Sequence, residues 1–132
     1  MTDRKKRTSD LAKAVKELVA LYGGFAYRNS NQPRINPKGQ PYYPDKSAIG
    51  SPDIIAVMPK GVTLWLELKV SPDTLRETQI AFKAELEKRG HIYIVVTDTI
   101  DELACFLDAG KKIGCYGFTI DVTVAKKPES EG

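Results

Sequence analysis

The chain of 132 residues is long enough to bury one well-formed core, and its 42% hydrophobic and 28% charged residues describe an ordinary soluble globule. One histidine, His91, and two cysteines, Cys105 and Cys115, exclude a histidine-ligated centre, a zinc-finger arrangement and a disulfide framework, and both thiols are expected to be reduced. A net charge of +3 does not by itself announce a polyanionic partner; no apolar run reaches membrane-spanning length and the polar, basic start is unlike a secretory signal, so a cytoplasmic protein with no membrane contact is expected.

Residues 1–7 carry the run Arg4-Lys5-Lys6-Arg7 and read as a basic disordered arm, which either solubilises the chain or attracts phosphates. Thr8 or Ser9 can cap a first helix that continues to Tyr22, where Gly23-Gly24 stops it, with Leu11, Val15, Leu18 and Tyr22 as its apolar stripe. Asp10 and Glu17 fall along one edge of that stripe. From there an acid could reach a metal held by a sheet, or serve simply as a first-turn acid and a surface charge. Phe25 to Arg28 reads as a first strand. Asn29 to Gly50 is proline-rich, with Pro33, Pro37, Pro41 and Pro44, and no regular structure is expected there. Arg28, Arg34, Lys38 and Lys46 in this region face only Asp45, and with Tyr42 and Tyr43 they suit a nucleic-acid backbone and unpaired bases. Packing of the two tyrosines onto the domain is the alternative.

The stretch from Gly50 to Lys69 reads as a β-hairpin: a short apolar run Asp53 to Met58, the turn Pro59-Lys60-Gly61, and an alternating strand Val62 to Lys69. Gly61 suits a type I turn closed by a left-handed glycine. Pairing Met58 with Val62 places Asp53 opposite Glu67, with Cβ atoms about 5 Å apart. Lys69 projects from the same face as Glu67, while Leu64, Leu66 and Leu68 point to the other. Two carboxylates facing each other repel, and a divalent cation such as Mg²⁺ or Mn²⁺ would relieve that repulsion while supplying a water that can become a nucleophile. Lys69 could orient that water or stabilise charge developing on a phosphate. A solvated strand face carrying a Glu67–Lys69 ion pair is the plainer account of the same residues.

Beyond the hairpin, Thr74-Leu75-Arg76-Glu77 reads as a capping box opening a helix from Leu75 to Arg89, with Gly90 past its end. Leu75, Phe82 and Leu86 form its buried stripe, and Gln79 lies on that stripe, where its amide needs partners such as the hairpin carboxylates or Lys69. Ile92 to Thr97 is a β-branched run expected as a strand buried on both faces. A further helix starts at Thr99 to Leu103 and ends near Gly110; Phe118 to Val124 alternates as an extra strand that either closes a sheet edge or joins a dimer, and residues 126–132 form a polar tail.

Gly-Ser-Pro-Asp, a spacer and Leu-Glu-Leu-Lys, with Pro52-Asp53 and Glu67-Leu68-Lys69 as the signature, resemble the PD-(D/E)XK nuclease superfamily. The helix, glycine and strand that follow Leu75 to Gln79 are similar to its VRR-NUC (virus-type replication-repair nuclease) branch, and the likeness covers roughly residues 8–109 of a single domain expected over 8–125. The resemblance implies an α/β fold of the restriction-endonuclease type, an αβββαβ core whose mixed sheet is flanked by helices, here with an added C-terminal strand. It implies a phosphodiesterase that cuts DNA to leave a 5′-phosphate and a 3′-hydroxyl. Asp53 and Glu67 would hold Mg²⁺ or Mn²⁺ with the main-chain carbonyl of Leu68 and one first-helix acid, Asp10 or Glu17. Lys69 and Gln79 would complete the catalytic group. Small relatives of this kind resemble phage proteins that act on branched DNA such as Holliday junctions as homodimers, and the alternative is a nucleic-acid-binding module that keeps the architecture without catalysing.

Overall fold

The computed structural model describes residues 2–30 and 33–112. Its elements in order are helix α1 (Asp3–Leu21), strands β1 (Phe25–Arg28), β2 (Arg34–Ile35), β3 (Pro41–Tyr42), β4 (Ile54–Val57) and β5 (Thr63–Lys69), helix α2 (Glu77–Lys88), strand β6 (Ile92–Thr97) and helix α3 (Asp101–Lys112). A mixed sheet runs in the order β1-β4-β5-β6, antiparallel through β1, β4 and β5 and parallel between β5 and β6, with α2 as the crossover. Set apart from the small β2–β3 ribbon, this is the expected αβββαβ α/β core. The C-terminal strand, the polar tail and Cys115 lie outside the described residues. No helix among the described residues is long and apolar enough to cross a membrane.

Strand alternation divides the sheet into two unlike faces. Leu64, Leu66 and Leu68, with Ile54 and Ala56 opposite them and Ile92 and Val96 beyond, form one closely packed layer with Leu11, Val15 and Val19 of α1 and Leu103 and Leu107 of α3. Full burial of such aliphatic side chains contributes about 1.5–3 kcal/mol each before ordering costs, and this layer carries most of the apolar burial. The opposite face of β5 presents Trp65, Glu67 and Lys69, with Tyr93 of β6 beside Trp65, and α2 packs over β6 on that side.

Three local expectations need correcting. The basic run is not a disordered arm: α1 begins at Asp3, capped by Thr2, whose Oγ1 accepts from the Lys5 N–H at 3.1 Å. Lysine and arginine are good helix formers, and here they find acids one turn away, Arg7 to Asp3 at 3.0 Å and Lys6 to Asp10 at 3.5 Å. The proline-rich stretch contains a short ribbon, β2 against β3. Asn36 holds its tip, its Oδ1 accepting from the Lys38 and Gln40 N–H groups at 2.9 and 2.8 Å, an Asx turn that proline content conceals. Finally, the hairpin turn carries both Lys60 (φ 61°) and Gly61 (φ 85°) in the left-handed region rather than the glycine alone.

The remainder of the long connection is pressed onto α2 at Gly50. With φ +88°, Gly50 lies so close to Thr78 that an added Cβ would collide with the Thr78 carbonyl oxygen and stand 2.6 Å from its carbon. Gly50→Ala should therefore combine left-handed strain of about 1–3 kcal/mol with a backbone clash, lowering the thermal unfolding midpoint by several degrees. Calorimetry on the variant checks this; an unchanged midpoint would show that the loop is not seated there.

Candidate active site

The turn after β4 delivers the register the site needs. Met58 donates its N–H to the Val62 carbonyl at 2.8 Å, and Ile54 pairs with Leu66, which leaves Asp53 facing Glu67 one step further along. Asp53 is then fixed by main chain, its Oδ2 accepting from the Leu68 N–H at 3.0 Å. Asn29, immediately after β1, braces the same segment: its Nδ2 donates to Ser51 Oγ and to the Pro52 carbonyl, both at 3.0 Å, and its N–H donates to the Asp53 carbonyl at 2.7 Å.

Glu67 is 2% exposed, an unusual position for a carboxylate. Its Oε2 accepts from Gln79 Nε2 at 2.9 Å and stands 3.6 Å from Lys69 Nζ, while Oε1 is buried without a hydrogen-bond partner. Burial first, and the Asp53 carboxylate second, push the Glu67 pKa up to about 8, with Lys69 acting in the opposite sense. Gln79 uses both ends of its amide. Its Oε1 accepts from the Arg76 N–H at 2.9 Å, so α2 starts at Glu77, two residues later than the Thr74 capping box predicts, and Gln79 is the residue that reaches back. The same side chain that starts the helix thus locks the carboxylate.

Asp53, Glu67, Lys69 and Gln79 are therefore brought together, and Leu68 contributes its N–H to Asp53. The first-helix acids are not brought in. Asp10 is exposed, is paired with Lys6, and lines a separate groove with Arg7, Val70 and Asp98; Glu17 is exposed two turns further along α1. Both stand on the helix that packs against the leucine face, whereas Glu67 and Lys69 project from the other. Among the described residues no third histidine, cysteine or acid joins Asp53 and Glu67 in a cluster. An orphaned buried Oε1 facing a second carboxylate still fits a hard cation, which needs only one or two carboxylates and keeps several waters.

Asp53 and Gln79 open onto a cavity of about 580 Å³. Arg28, at the end of β1, and Tyr43 line it, whereas Arg34, Lys38 and Lys46 of the long connection do not. Arg76, Asn29 and Ser51 also line it and were not singled out by sequence. Arg76 gave no sign in the sequence, because arginine is not an N-cap residue type and only the side chain of Gln79 reaching back to its N–H makes it one. Asn29 gave none either, because its partners lie more than twenty residues away.

No family model and no curated protein matches the sequence. A solved structure described as a VRR_NUC domain superimposes with a TM-score of 0.55 at 20% identity, over 80% of this chain and 95% of that one. The chain has the fold of a VRR_NUC domain. Its Asp53–Glu67–Lys69–Gln79 group sits on the VRR_NUC-like core, on the face of β5 away from α1.

Glu67 also makes stability depend on pH in the metal-free protein. Because its folded pKa of about 8 exceeds the ordinary value of 4.5, the folded state keeps a proton that the unfolded chain has released across that window. Its contribution is full below about pH 4.5 and declines as pH rises through about 8. In EDTA, Glu67→Gln should flatten this decline, so that its unfolding midpoint gains on wild type as pH increases; parallel curves for the two proteins would contradict the assigned burial.

Proposed function

We propose that the protein is a nuclease of the VRR-NUC type, hydrolysing phosphodiester bonds in DNA with Mg²⁺ or Mn²⁺ as cofactor. The observation that carries this reading is Glu67: a buried carboxylate with one oxygen unpartnered, set opposite Asp53, next to an ammonium, and held by an amide from the crossover helix. A structural ion pair has no use for an orphaned oxygen or a facing like charge. A cation between the acids accounts for both, and the VRR_NUC-like fold agrees with it.

Asp53, Glu67 and the Leu68 carbonyl would hold the metal, with water completing its shell. The chemistry a bound Mg²⁺ or Mn²⁺ supplies is polarisation of the phosphate and acidification of a water. The chain's own groups do the rest. Lys69 Nζ, held beside Glu67, orients the attacking water or offsets charge developing on the phosphate. Gln79 keeps Glu67 from rotating away, and the Leu68 N–H does the same for Asp53. As substrate we propose branched DNA, cut by a symmetric dimer that presents one such site to each of two strands.

Incubation with labelled four-way junction, flap and duplex DNA should give cleavage with Mn²⁺ and none with EDTA. Asp53→Ala and Lys69→Ala should each lower the rate at least about a hundred-fold while leaving DNA binding, as expected when charge stabilisation or water orientation is lost. Wild-type rates in either variant would remove the mechanism. Glu17→Ala, far along α1, should cut like wild type.

A further inference from the structure

The cavity in front of Asp53 is larger than a cation and one phosphate require. At about 580 Å³ it falls among the pockets of roughly 300–1,000 Å³ that take whole small molecules. Besides Asp53 and Gln79 its wall includes Arg28 at the end of β1, Arg76 at the N-cap of α2 and Tyr43 from the connection after β3. Neither guanidinium is in an ion pair among the described residues. Tyr43 is 39% exposed, so part of its surface is free to meet a ligand. The segment that follows Tyr43 is anchored at its far end, by Gly50 against Thr78 of α2 and by Ser51 to Asn29 after β1.

Resting on the reading of this site as a nuclease, we propose that the cavity receives one unpaired nucleotide of the substrate strand beside the scissile bond, with Tyr43 against its base and Arg28 and Arg76 on its phosphate. Guanidinium groups match phosphate oxygens in a planar, two-pronged geometry. An aromatic ring stacks on any base, because every base has a π-face. A base inside a continuous duplex has both faces covered by its neighbours and reaches a ring set in a cavity wall only by flipping out of the stack, which costs a few kcal/mol that an unpaired base does not incur. The substrate class is therefore a strand with at least one unpaired nucleotide at the cut: single strands, overhangs, flaps and branch points, in preference to continuous duplex. With the reacting phosphate at the Asp53 end, where the cation held by the acids would meet it, and its neighbour on the two arginines, the cavity takes about one nucleotide.

The test uses the full chain in EDTA with oligonucleotides carrying 2-aminopurine as single strand, as a duplex with one unpaired position, and as continuous duplex. Wild type should bind the unpaired forms at least about ten-fold more tightly than duplex, with fluorescence quenched on stacking. Tyr43→Phe should keep this preference and Tyr43→Ala should lose it. Arg28→Ala and Arg76→Ala should each weaken binding and lower the salt slope by about 1. Equal binding of paired and unpaired forms, or an undiminished preference in Tyr43→Ala, would overturn the proposal. Cleavage assays in Mn²⁺ separate the two readings: cutting indifferent to pairing leaves the nuclease and removes the subsite, whereas Tyr43-dependent binding of unpaired forms without any cutting does the reverse.

Discussion

Two carboxylates made to face each other inside a protein are the constraint around which this structure is organised. Asp53 and Glu67 oppose because a three-residue turn fixes the pairing of β4 with β5, and Glu67 cannot turn outward because the strand's alternation puts leucines on its other face. A slip of one residue would move Leu66 and Leu68 out of the core and Glu67 into it, so aliphatic burial on one face enforces electrostatic strain on the other. Gln79 relieves part of that strain through one hydrogen bond and Lys69 a further part through its charge, and one oxygen is left without a partner.

Asp53 and Glu67 are each held by residues that have another task. Leu68 supplies an N–H to Asp53 while its side chain belongs to the core. Gln79 caps α2 and holds Glu67 with the two ends of one amide. Asn29 ends β1 and ties the approach to Asp53. Trp65 and Tyr93 add a largely buried surround, with the Tyr93 hydroxyl driven far toward its protonated form by burial and by the charges of Glu67, Asp53 and Glu87. In such surroundings charges act more strongly on one another than they would in water. The proposed chemistry calls for that.

The long connection between β1 and β4 is a wall rather than a lid. It contains a ribbon ordered by Asn36, a short turn of 3₁₀ helix over Lys46–Ala48, and a close approach to α2 that only glycine permits. Those local structures decide which of its many cations and aromatics face the cavity. Tyr43 does, Arg34, Lys38, Tyr42 and Lys46 do not, and Arg28 reaches the same cavity from the end of β1.

What could be read from the residues alone was whatever depends on short range. The hairpin register followed from its turn, the two faces of β5 from alternation, the helix carrying Gln79 from periodicity, and β1 and β6 at their observed limits from short apolar runs bounded by glycine and polar residues. Misreadings arose where two local signals competed: a basic run that looked disordered but had a threonine cap and acids one turn away, and a Thr-x-x-Glu box overridden by Gln79 reaching back to Arg76. Tertiary structure alone determined that α1 packs on the leucine face and keeps Asp10 and Glu17 out of the cavity, and that Asn29, Ser51 and Arg76 enter it. Helix periodicity gives the direction of a side chain about its own axis, but which face of the sheet the helix covers is fixed only when the whole core closes.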